Sequence, residues 1–288
     1  MNIEDLARQK GKELSEFHRH PNGGGWVENT AKVAETAMVA KKALVYDYAW
    51  VVGNSSICDN ARVSGNALVD EFAQIAGKAS IFGNTEVFGN AQVFDNARIY
   101  ESAKVFGDCQ ISEEASIFGS AQIFESARIS GNAYICGRAQ VFGLAKIFGY
   151  SQINDRARIS ESAKILQRAR ICGDAWVKGN TTVKSHAYLY GSEWRKSPLC
   201  YPIEIAVDIH DNLCVTNSKE GYSAIGYLSH PHEFWLSEEG EKLLKGWEFT
   251  DSEISECRQH VRRIMEHEKK NQQVDYYKRI TRTIAQKD

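Results

Sequence analysis

From Val27 to Leu189 every sixth residue is Val or Ile, twenty-eight positions in all, with Leu189 the one exception. Two residues before each lies a small side chain. It is usually Ala (Ala61, Ala97, Ala127, Ala163) and otherwise Gly25, Ser55, Thr85, Cys109, Ser151 or Thr181. A period of six does not match the turn of an α-helix, but three two-residue strand alternations with one bend per unit do. Half of the positions two after the aliphatic residue are Gly, often followed by Asn, as in Gly65-Asn66, Gly83-Asn84, Gly89-Asn90 and Gly131-Asn132. Both residue types tolerate the φ > 0 of a tight corner. Pro21, Pro198, Pro202 and Pro231 all lie outside the stretch, as required if every internal amide donates to a neighbouring coil. The pattern predicts a triangular β solenoid of three units per coil, about nine coils and roughly 45 Å long at ~4.8 Å per coil.

If the aliphatic and small residues point inward, the residues flanking each aliphatic point out, and outward residues 18 apart stack into columns. One column reads Phe88, Phe106, Phe124, Phe142; a second Phe82, Tyr100, Phe118; a third has Phe94 and Phe148 with Ser112 and Ser130 between. Such a four-Phe stripe is expected to be buried between subunits; the alternative is that these rings simply cover the corners. Charge is segregated as well. Residues 95–127 hold six acids against two bases, whereas 138–184 hold nine bases against three acids. The column Gln74, Gln92, Gln110, Arg128, Lys146, Lys164 turns basic toward its C-terminal end. With Arg156, Arg158, Arg168 and Arg170 it makes that half of the rod a candidate site for an anionic ligand; solubilising charge is the other reading.

The organisation is three-part: an N-terminal helix and cap over 1–24, the repeat over 25–192 and a C-terminal hairpin with helices, for capping or oligomerisation, over 193–288. Ile3, Leu6, Ala7, Lys10, Leu14 and Phe17 suggest a short amphipathic helix over one open end. Ile203–Ile209 and Leu213–Thr216 read as a hairpin, 233–246 as a short helix, and Thr250-Asp-Ser-Glu253 as a capping box opening a longer one. End caps are needed because an open coil templates polymerisation.

The aliphatic-x-x-x-small-x unit resembles the hexapeptide-repeat family. The resemblance implies a single-stranded left-handed parallel β-helix that assembles as a homotrimer; handedness comes from it alone, since crossovers are generically right-handed. His20-Pro21-Asn22-Gly23-Gly24-Gly25-Trp26-Val27 is similar to the start of uncharacterised bacterial and prophage members of the YdcK type, described as transferases. Ile225-Gly226-Tyr227-Leu228-Ser229-His230 with Glu233 and Trp235 is similar to an element in such tails, with Tyr227 where Cys is expected.

The resemblance implies acyl-CoA chemistry, for which the family uses a His on a coil or an extruded loop. Here no His falls between residues 21 and 185 and the six-residue register never slips, leaving His186 as the one catalytic candidate. His18, His20, His210, His230 and His232 lie on flanking segments, and His230 and His232 are kept as ligand-binding candidates. Cys58, Cys109, Cys136 and Cys172 sit in repeat positions as small fillers; Asp208, His210, Asp211 and Cys214 fit a turn as well as a metal site, so none is assigned.

The chain is 288 residues long with a net charge of −2, which argues against general nucleic-acid binding. Seven Cys without a Cys-x-x-Cys pair fit a reducing cytoplasm better than secretion. No apolar run approaches a membrane span, and the charged first residues carry no apolar h-region, so neither export nor membrane insertion is expected. These features favour a non-catalytic homo-oligomer, a homotrimer, that binds a small anionic, nucleotide-like molecule or a protein partner and needs no cofactor. An acyltransferase using acyl-CoA is the alternative, and a structural, self-assembling rod the third reading.

Overall fold

A computed structural model describes residues 3–183, 188–191, 204–205, 215–219, 222–225, 228–263, 265–266 and 269. Each repeat contributes a two-residue strand, such as Arg62–Val63, Leu68–Val69 or Gln74–Ile75. Strands pair in parallel with those 18 residues away: Val63 lies between Val45 and Ile81. Three sheets result, the faces of a solenoid of about nine turns. The first face carries Val27, Val45, Val63 and onward to Leu189; the second Val33 to Val177; the third Val39 to Val183.

The inward residues form one continuous core in which Ala61, Val63, Ala79 and Ile81 are all 0 % exposed. The small position lies directly at the corner, which explains the residues it accepts. Ser55, Ser151, Thr181 and Cys109 each donate to the carbonyl three residues back, at 2.7, 2.6, 2.7 and 2.9 Å, so their polar atoms are satisfied inside the prism. Only Thr85 Oγ1 is buried without a partner among the described residues.

From Asp47 to Gly179, the residue two after the aliphatic turns every corner with φ between +56° and +83°. Half of these corners were expected to be Gly; the surprise is the other set. Ten are Asp, Glu or Gln, although the left-handed region costs an L-residue ~1–2 kcal/mol. The compensation is a hydrogen bond. A corner N–H lies outside the ladder, and an acid one coil earlier accepts it: Gly65 from Asp47 (3.2 Å), Gly77 from Asp59 (3.0 Å), Gly119 from Glu101 (2.9 Å) and Gly173 from Asp155 (2.9 Å). The Asn after a corner Gly does not share its positive φ; instead its amide bonds up the edge, Asn66 to Asn84 and Asn90 to Asp108, both at 2.9 Å.

The N-terminal end departs from expectation. Helix α1 (Ile3–Lys10) stops before Gly11 at φ +65°, and it lies against the outside of the first face. Its Ile3, Leu6 and Ala7 join Phe17 and the outward Leu44, beside Trp26 and Tyr46. The end itself is closed by strand β1 (Phe17–Arg19), antiparallel to β2 (Trp26–Glu28), and by the turn that follows. There Val39 donates to Asn22 (3.0 Å), Gly25 donates to Val39 (2.8 Å), and the buried His20 ring bonds Ala37 O at 3.0 Å. A Cβ on Gly23 would run into the Val39 carbonyl, which accounts for the glycine run. Buried Glu28 completes the cap by accepting from Lys12, Thr30 Oγ (2.7 Å) and Asp47 N–H (3.0 Å).

At the other end the register slips. Glu204–Ile205 pairs in parallel with Thr182–Val183 and lengthens the third face. Most of the hairpin expected between 203–209 and 213–216 lies outside the described residues; the described Val215–Lys219 pairs with Tyr222–Ile225, which pairs with Leu228–Pro231. With α2 (His232–Leu236), α3 (Glu238–Gly246) and a helical stretch over 251–263, these strands build a second core around Trp235, Leu244, Phe249, Cys257 and Val261. The single helix expected over 233–246 is broken at Ser237, which caps α3 by accepting from Gly240 N–H at 3.3 Å. The Thr250–Glu253 capping box forms in both directions, at 2.7 and 3.3 Å. Among the described residues no helix is long and apolar enough to cross a membrane.

Two predictions follow from the corners and the cap. Gly131 has φ +73° and a Cβ there would sit 2.6 Å from Gly149 N. Both Gly131→Ala and Gly131→Asp should be destabilising, but Asp less so by ~1 kcal/mol, because only its carboxylate can accept the next corner N–H. Equal losses in urea melts would refute the role assigned to the acids. Burial pushes the Glu28 carboxyl upward, but Lys12, the Asp47 N–H and Thr30 outweigh it and hold it below the ordinary value. A lowered folded pKa means stability present above ~4.3 and lost as pH falls through the folded value. Protection of the β1 amides, with exchange corrected for the intrinsic rate at each pH, should fall in that acid range in the wild type. Glu28→Gln should exchange faster already at neutral pH, by ~1–3 kcal/mol of local stability, and show little further acid response.

Candidate functional site

The third face carries the charged column. Gln74, Gln92, Gln110, Arg128, Lys146 and Lys164 are successive strand partners. The Gln92 and Gln110 amides bond at 3.3 Å, while Arg128 and Lys164 are exposed and Lys146 half-buried. None of the three cations pairs with a carboxylate among the described residues, whereas on the second face Lys104 meets Glu86 one rung away at 2.7 Å. Like charges directly opposite on neighbouring strands destabilise a sheet, so this column is an electrostatic cost that an anion would remove.

The four other basic candidates do not join it. Arg158 lies on the second face, over the Trp176 ring at 5.9 Å with Lys178 at 4.8 Å. Arg170 lies on the first face beside Gln152. Arg156 and Arg168 occupy two different edges, Arg168 over Tyr150 at 5.7 Å. The bases of this half surround the rod, because an 18-residue coil distributes neighbouring repeats over all three faces.

The aromatic columns form on the other faces. On the second, Phe88, Phe106, Phe124 and Phe142 stack with centroids 5.0, 5.1 and 4.8 Å apart and planes within 4°. On the first, Phe82, Tyr100 and Phe118 stack at 5.0 and 4.8 Å, and Tyr134 meets Phe118 edge-on. Each ring covers its neighbour, so the four-Phe column is half-buried within one chain. More exposed are Phe72 (57 %) and Leu144 (61 %), on the edge between the second and third faces. That edge thus has the Phe stripe on one side and the Gln-to-cation column on the other. In the outward column beside the cations, by contrast, the aromatics are interrupted: Phe94, Ser112, Ser130, Phe148.

His186 and His210, with Asp208, Asp211 and Cys214, lie outside the described residues. His230 stacks on Phe234 at 4.0 Å, and buried His232 bonds Ser223 Oγ at 2.9 Å; both belong to the C-terminal core. His18 bonds Asn29 at 2.9 Å. Of the repeat cysteines only Cys109 points inward, where burial pushes its thiol up to about 12. Cys58, Cys136 and Cys172 occupy outward positions, with Cys58 on Ser56 at 3.2 Å and Cys136 on Asn154 at 3.2 Å. Among the described residues no cluster of His, Cys, Asp or Glu is placed to hold a metal ion.

Residues 57–71 match the family model of the YdcK Beta solenoid repeat. The match and the fold together place the chain among β-helix repeat proteins. No curated protein matches it.

Chemically, the third face offers cations, amides and hydroxyls. Among its described outward residues there is no imidazole, and its thiol, Cys58, lies near the opposite end from the cations. The arrangement can neutralise and orient an anion. What reading the sequence missed are the corner acids, which counted there only as surface charge; their recurrence at the Gly position of the repeat was the available signal.

Proposed function

We propose that this protein is a hexapeptide-repeat β-helix, wound left-handed and assembled as a homotrimer, that binds a small anionic, nucleotide-like ligand without chemically transforming it. The observation that carries the binding role is the unpaired column Arg128, Lys146, Lys164. The half-buried Phe stripe and its flanking Phe72 and Leu144 support the second face and its edge as the subunit contact. Polar neighbours on that face are already satisfied within the chain: Glu86 by Lys104, and Gln122 by Gln140 at 3.1 Å. Burying them between subunits therefore leaves no unpaired charge. Among the described residues Cys58, Cys109, Cys136 and Cys257 form no disulfide, which supports a reducing, cytoplasmic setting.

Replacing Arg128, Lys146 and Lys164 together by Gln extends the amide ladder already present above them and should leave the fold intact. Native mass spectrometry of protein taken from cells should show an anionic ligand on the wild type and none on this triple variant. Each lost charged hydrogen bond weakens binding by ~1.5–3 kcal/mol. A retained acyl-CoA, released by His186→Ala and not by the triple variant, would instead make the protein an acyltransferase.

Phe106→Asp should split the oligomer into chains of 32.3 kDa with an unchanged far-UV spectrum. It removes ~1.5–3 kcal/mol of burial per subunit and places a carboxylate in the contact. Val105→Asp, whose side chain is 0 % exposed, should abolish soluble expression. Light scattering that reports the same mass for Phe106→Asp and wild type would remove the second face as the contact.

A further inference from the structure

We infer that the gap in the aromatic column of the third face, at Ser112 and Ser130, is the seat of a sugar ring that carries an anionic group. This rests on the anion-binding reading of Arg128, Lys146 and Lys164 and specifies what the anion is attached to.

The argument starts from a comparison of faces. The residue after the aliphatic is aromatic on four successive coils of the second face and on three of the first, and those rings cover one another. On the third face the same position reads Phe94, Ser112, Ser130, Phe148. Over these coils the third face carries two serines where the second face carries rings. Phe94 and Phe148 stand three rungs apart, about 14 Å at ~4.8 Å per rung. That span admits one or two pyranose rings. Neither Phe stacks on another ring among the described residues.

The surroundings define the ligand. On the floor, the Ser112 and Ser130 hydroxyls are half-buried and have no hydrogen-bond partner among the described residues. On one flank, Gln110 and Arg128 belong to the same two strands, with Lys146 one rung further. On the other flank the corner presents Glu114, which accepts from Asn96 Nδ at 2.6 Å, and Asn132. The Glu113 N–H is already taken by Asp95 at 3.1 Å. A purely aromatic guest would leave both serines unsatisfied on the floor. A bare anion would accept from the serines but leave the rings unused. An acidic sugar uses all of them: its charged group meets Arg128 and Lys146, its hydroxyls meet Ser112, Ser130 and Glu114, and its C–H faces meet the negative ring faces of Phe94 and Phe148. The charged group is a phosphate ester or a carboxylate, which share this chemistry.

The test fills the gap without touching the charge. Ser112→Phe/Ser130→Phe places Phe where the other two faces already carry aromatics, so it should fold, as circular dichroism and thermal melting will verify. Calorimetric titrations use glucose 6-phosphate, glucuronate and inorganic phosphate on the intact chain. One of the two sugars should bind the wild type at least about tenfold tighter than phosphate does, a difference the size of one good hydrogen bond. The double variant should reduce that sugar to the level of phosphate and leave phosphate unchanged, whereas Arg128→Gln should weaken every anion that binds. Which sugar binds distinguishes a phosphate ester from a uronate. If both sugars match phosphate, or the double variant leaves sugar binding intact, the gap is not a sugar site and the cation column stands alone. If Arg128→Gln changes nothing, or no anion binds, the cation-column reading falls as well.

Discussion

The constraint on which this structure depends is the fixed step of 18 residues between hydrogen-bonded strands. Because each strand pairs with the one a full coil away, each side chain meets whatever stands one coil above it in the sequence. Inside, that step stacks Val on Ile on Val without a gap, and a single core runs the length of the rod. Outside, it forces like onto like. Rings stack on rings, Gln amides bond Gln amides, and Asn bonds Asn. Where the repeated residue is a cation the same geometry creates repulsion, which is why the third face differs energetically from the other two.

The corners show how a fold solves its own deficit. A residue with positive φ turns the chain but leaves an N–H that the ladder does not use, and a carboxylate one coil earlier takes it up. Glycine handles the conformation but supplies no acceptor; Asp and Glu supply the acceptor at a conformational cost. Neither is best at every corner. On the edge after the first face, Asp47, Glu101 and Asp155 are separated by pairs of glycines, so each acid serves the glycine directly above it. At the N-terminal end, where no corner acid precedes Asp47, Glu28 reaches in from the neighbouring position to do the same. Closing that end is therefore an extension of corner chemistry.

Features set by the period were legible in the sequence, and features set by a partner were not. Six-residue spacing implies strands, corners and columns with no knowledge of the rest of the chain, and Thr250 with Glu253 implies a cap through contacts three residues apart. Ile203–Ile209 looks like half of a hairpin because alternation identifies a strand and not its mate. Its described part, Glu204–Ile205, pairs with Thr182–Val183, four residues beyond the 18-residue step. The amphipathic pattern of α1 shows that one side is buried; where it is buried depends on Leu44, Trp26 and Tyr46, apolar residues at outward positions of the first coils. The nine bases between 138 and 184 read as one patch along the chain, but Arg158 and Arg170, two repeats apart, occupy different faces.

This separation also bears on function. Were positive charge needed only for solubility, the fold would have no reason to stack it. The second face shows that opposite charges fit on consecutive rungs, since Glu86 and Lys104 pair there with no distortion of the ladder. One Glu at the middle rung of the third face would relieve Arg128 and Lys164 at once. The backbone therefore permits neutralisation and the side chains do not supply it. The same stretch is where the aromatic column gives way to Ser112 and Ser130, so two departures from the pattern of the other faces coincide on adjacent columns of the same strands and turns. Either departure alone could be ornament on a stable scaffold. Side by side, they join unbalanced charge to unused hydrogen-bonding capacity, and a single ligand with an acidic group and hydroxyls would resolve both.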